Sequence, residues 1–73
     1  MSKFEVEKKE RITRLEAATR LRYIATILSA EGEEIEFKRG GMEFSVEMPE
    51  EIEFKVELEL DGDDNELEIE ITW

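Results

Sequence analysis

The sequence predicts an α+β fold in two layers, ordered β-α-β-β-β-β, with one helix packed on a mostly antiparallel five-stranded sheet. Two observations carry that expectation. Residues 13–30 open on a helix-capping pattern and keep a helical period. From residue 34 onward, apolar and charged residues alternate almost one for one. No linker or repeat interrupts the chain, so residues 1–73 read as a single domain.

The elements follow in order. Phe4 and Val6 alternate with Glu5 and Glu7, which predicts a short first strand whose place in the sheet is not determined. Thr13-Arg14-Leu15-Glu16 fits a capping box, with Thr13 as N-cap, Glu16 reaching back and Ile12 placed as a hydrophobic staple. The helix then runs through RLEAATRLRYIATILSA, and Gly32 is positioned to end it in a left-handed turn. On a helical wheel, Leu21 centres a stripe with Ala17, Ala18, Ile24, Ala25 and Leu28. Tyr23 and Ile27 form a second apolar spot on the opposite, wet side, beside Glu16 and Arg20.

Ile35 and Phe37 precede a turn at Arg39-Gly40-Gly41, a hairpin signal, and Met42, Phe44, Val46 and Met48 form the next apolar row. Pro49 ends it. Ile52, Phe54, Val56, Leu58 and Leu60 continue the alternation, then Asp61-Gly62-Asp63-Asp64-Asn65 turns into Leu67, Ile69, Ile71 and Trp73.

These segments resemble the amphi-Trp domain family, small archaeal and bacterial proteins with an amphipathic strand that ends in tryptophan. The resemblance runs through FEVEKKERITRLEAATRLRYIATIL, the EIEFKRGG hairpin, PEEIEFKVELE and, most specifically, the tail ELEIEITW. It implies a single small domain of this architecture and leaves the activity open.

Composition narrows the function classes. Cysteine and histidine are both absent, which removes disulfides, thiolate metal sites and the usual nucleophile–histidine pairs. The expectation is a protein without enzyme activity, cofactor or metal. Asp61, Asp63 and Asn65 have the spacing of the first three ligands of a calcium loop. Glu66 and Thr72, however, stand where that loop needs glycine and a bidentate glutamate, so a hairpin turn is the reading. Paired carboxylates on a flat open face lack the burial that acid–base catalysis requires. No apolar run reaches the roughly 18 residues of a membrane span and no signal-peptide pattern opens the chain, so no membrane and a cytoplasmic location are expected.

The net charge of −11 is unevenly spread: residues 1–30 hold seven basic against four acidic side chains, and residues 31–73 three against seventeen. Free nucleic acid is then an unfavourable partner for the acidic half. Glu53, Glu57, Glu59, Glu66, Glu68 and Glu70 are expected on one sheet face, solvated and salt-screened; the alternative is a surface for a basic protein, as a nucleic-acid mimic toward a DNA-binding protein or as a regulator-binding face. Lys8, Lys9, Arg11 and Arg14 flank the helix start as a candidate anion-binding or partner-facing cluster, with local pairing to Glu7, Glu10 and Glu16 as the plain alternative.

Size supplies the firmest expectation. Five strands about 4.8 Å apart make a sheet about 24 Å wide, against about 10–12 Å for one helix. Seventeen apolar strand side chains exceed what that helix covers. The surplus, with Tyr23, Ile27 and Trp73 as candidate interface residues, predicts a homo-oligomer, a dimer favoured.

Overall fold

Thr13 starts the helix as its chemistry requires: extended at φ −75° and ψ 157°, it accepts a 3.0 Å hydrogen bond at Oγ1 from the Glu16 amide. The computed structural model describes residues 3–39 and 41–73; Gly40, inside the predicted first turn, lies outside them, as do Met1 and Ser2. Helix α1 spans Arg14–Leu28 and is capped by Ser29, so it stops one turn short of Gly32, whose φ of +86° turns the chain afterwards. Inside it, Thr19 and Thr26 donate their hydroxyls to the carbonyls of Leu15 and Arg22, four residues back.

Four strands follow: β1 (Glu34–Arg39), β2 (Met42–Glu47), β3 (Glu53–Asp61) and β4 (Asp64–Thr72). They form two separate antiparallel hairpins, β1–β2 and β3–β4. The expected five-stranded sheet is therefore corrected to two two-stranded sheets, and the expected strand at Phe4–Val6 is not formed. The physical causes are local. Phe4 leaves the ladder to pack its ring on Phe44, with centroids 5.2 Å apart. At the other break, Met48 donates its amide to the Glu33 carbonyl at 2.6 Å, and Pro49, which has no amide to donate, follows directly. The chain thus leaves β2 before a third strand can join its edge.

Registers within each hairpin match the alternation. Ile35 faces Val46 and Phe37 faces Phe44 in the first; Phe54 faces Ile71, Val56 faces Ile69 and Leu58 faces Leu67 in the second. The β3–β4 connection is a two-residue turn with Gly62 at φ +59° and Asp63 at negative φ, the pattern of a type II′ hairpin. The Asn65 side chain accepts from the Asp61 amide at 3.2 Å and closes it.

Packing is concentrated ahead of β3. Ile35, 3% exposed, and Met48 are the buried apolar residues among those described; Ile12, Ala17, Ala18, Ile27, Leu28, Phe37, Phe44, Val46 and Ile52 are half-buried, as is Ile71 on β4. Helix α1 touches β1, while β3 and β4 touch only each other. The resulting shape is open: the radius of gyration is 14.4 Å, where a packed chain of this length gives about 11 Å.

Candidate functional site

Two surfaces stand out, and both arise from the period-two pattern on β3–β4. On one face Glu53, Lys55, Glu57, Glu59 and Asp61 lie opposite Thr72, Glu70, Glu68, Glu66 and Asp64. Glu57 and Glu59 thus directly oppose Glu68 and Glu66, an arrangement that costs a few tenths of a kcal/mol per pair (roughly). Lys55 relieves part of it through a 3.3 Å pair with Glu57, and in the first hairpin Lys38 reaches Glu43 across the strands at 3.7 Å and Glu36 along its own strand at 3.9 Å. All of these pairs are solvated and worth little individually. The six candidate carboxylates Glu53, Glu57, Glu59, Glu66, Glu68 and Glu70 are therefore brought together on one face, as the alternation predicts.

The reverse face carries Phe54, Val56, Leu58 and Leu60 beside Ile71, Ile69 and Leu67, with Trp73 just beyond the end of β4. It is open to solvent: Leu58 is 64% and Trp73 57% exposed. Its exposed residues run the length of both strands.

The helix is turned differently from the expected stripe. Tyr23, placed by the wheel on the wet side, donates its hydroxyl to the Lys38 carbonyl at 2.9 Å, and Ile27 beside it is half-buried. Leu21, the expected centre of the buried stripe, is 47% exposed. The cause is the sheet beneath. Only β1–β2 lies under the helix, so one edge of the stripe is covered, and a tyrosine hydroxyl favours a position where it meets a carbonyl. Tyr23 and Ile27 thus face β1 of their own chain, apart from Trp73.

The basic cluster is divided. Lys8 pairs with Glu10, and Arg20, not singled out by the sequence, meets the same carboxylate from the helix. The hydrogen bonds from Lys8 and then Arg20 hold the Glu10 carboxyl down to about 2. Lys9, Arg11 and Arg14 are exposed around the helix start. The link from Glu10 to Arg20 ties the segment before the helix to its second turn; it had no signal in the sequence beyond opposite charges.

A helix with two amphipathic hairpins, one of them open on its apolar side, defines a small α+β protein of the two-faced kind. The chain belongs to the Amphi-Trp domain family, whose pattern matches residues 1–73, the whole of the chain. No curated protein and no solved structure matches it. Among the described residues no helix is long and apolar enough to cross a membrane.

Proposed function

We propose that this protein is a self-associating interaction or structural module that buries apolar surface between copies and turns its carboxylates outward. The carrying observation is the accessible surface of 7238 Å². A folded monomer of 8.6 kDa exposes about 4,700 Å² by the usual scaling of area with mass. The excess of about 2,500 Å² compares with about 800 Å² that each partner contributes to a standard interface. Among the described residues, thirteen large apolar ones exposed to solvent account for its chemical character. The reading includes no catalysis, cofactor or metal, in keeping with a chain that has neither histidine nor cysteine.

Light scattering over a range of concentrations tests it. The expected mass is that of a dimer or a larger assembly falling toward the monomer on dilution. A monomer mass at every concentration overturns the reading.

A second reading draws on the opposed pairs Glu57–Glu68 and Glu59–Glu66: the carboxylate face is a surface for a cationic protein. It expects capture of a basic protein at low ionic strength and release at high. Equal recovery at both ionic strengths counts against it.

A further inference from the structure

We propose that two copies of this chain join through their β3–β4 hairpins, apolar face on apolar face about a two-fold axis, with the hairpins antiparallel to each other. The proposal rests on the self-association reading above and assigns its surface and geometry.

The occupant follows from what the chain has left to offer. Its one helix is engaged over β1, where Tyr23 bonds Lys38 and Ile35 is buried, and neither β3 nor β4 touches it. A lone hairpin is at best marginally stable in water and needs a further layer on its apolar face. Seven large apolar residues of that face are between 42% (Ile69) and 71% (Leu60) exposed, and the surface excess is ample for the share of about 800 Å² that one partner supplies to a standard interface. The same face on a second copy is complementary in chemistry and in length, nine residues per strand or about 30 Å.

Charge then selects the arrangement. Pairing edge to edge would extend one continuous carboxylate face and leave the apolar side uncovered. Packing face to face sends the two carboxylate faces to opposite outsides. Stacked sheets are already about 10 Å apart, beyond the screening length of about 8 Å at physiological salt. Orientation is settled at the turn, where Asp61, Asp63 and Asp64 crowd one end of the hairpin. Parallel hairpins would bring two such turns together. Antiparallel hairpins set each turn by the partner's Phe54 and Trp73 end and place the pairs Val56–Ile69 and Leu58–Leu67, on either side of the hairpin's midpoint, about the axis.

Because the chain contains no cysteine, single substitutions in the full chain read the geometry directly. Across sheets about 10 Å apart, too far for a direct disulfide, Leu58→Cys should be joined into a covalent dimer by a short bifunctional maleimide, whereas Glu57→Cys, on the outer face, and Leu60→Cys, far from the axis, should not. Leu58→Lys should weaken association roughly 30-fold, as central interface positions do, while Leu21→Lys on the exposed helix edge should leave it unchanged. The Trp73 emission of the wild type should shift to the blue as the dimer forms. A wild-type dimer that survives Leu58→Lys, or that cross-links through Glu57→Cys, overturns this surface and leaves self-association standing. Cross-linking through Leu60→Cys overturns the antiparallel orientation. A wild-type monomer at all concentrations removes both proposals, and the cysteine variants remain decisive where Leu58→Lys fails to fold.

Discussion

Glu10 shows how an exposed side chain acquires an unusual chemistry without burial. Lys8 and Arg20 both donate to it, and its carboxyl is lowered from the usual 4.5 to about 2. A carboxyl whose folded pKa is depressed contributes stability that is complete above its ordinary pKa. That contribution fades as the pH falls from about 4.5 toward 2. Carbon-detected NMR titration of the Glu10 side chain is expected to give a midpoint near 2, with Arg20→Gln moving it back toward the ordinary range. A wild-type midpoint in that ordinary range would show that the contact does not hold the charge. The Thr13 side-chain cap was visible in the sequence, because capping is a local event between residues three apart, whereas the return bond expected from the Glu16 side chain is absent among the described residues. The Glu10–Arg20 link was not, since the path of residues 3–13 decides it.

Between elements, the helix and the first hairpin hold together through few contacts of unequal weight. Ile35 is 3% exposed, and Ile35→Ala removes its buried carbons, at a cost of about 2–5 kcal/mol. Tyr23→Phe removes one solvated hydrogen bond to Lys38, a loss of about 0.5–1 kcal/mol. Urea denaturation is expected to rank the two in that order; equal midpoints would mean that the α1–β1 contact rests on the hydroxyl rather than on packing. The apolar rows of the hairpins were legible residue by residue. Alternation placed Val56, Leu58, Leu67 and Ile69 in apolar rows, while the pairing of Val56 with Ile69 and Leu58 with Leu67 follows from a turn of two residues rather than the five read at Asp61–Asn65. The helical wheel found the apolar positions of α1 but not which edge would be covered, because that depends on the strands beneath.

For the whole molecule, charge and surface set the behaviour. Four like-charged pairs, Glu34–Glu47, Glu57–Glu68, Glu59–Glu66 and Asp61–Asp64, stand directly across strands in a chain of net charge −11. Raising the salt from about 0.01 to 1 M shortens the screening length from about 30 to 3 Å. At a few tenths of a kcal/mol per pair, the relief is on the order of 1 kcal/mol. The melting temperature should rise by about 4–8 °C in a domain of this size. A melting temperature independent of salt would show that the carboxylates are solvated without mutual cost.

The sequence alone determined the helix with its N-cap, the apolar rows of the two hairpins and the division into a carboxylate face and an apolar face. These are short-range matters of period, turn and capping chemistry. Tertiary structure decided how many strands share a sheet, which edge of the helix is covered and which apolar face stays open. Those outcomes depend on where Phe4 packs, on how Met48 and Pro49 redirect the chain, and on the reach of a single helix. None of these is encoded in the spacing of neighbouring residues.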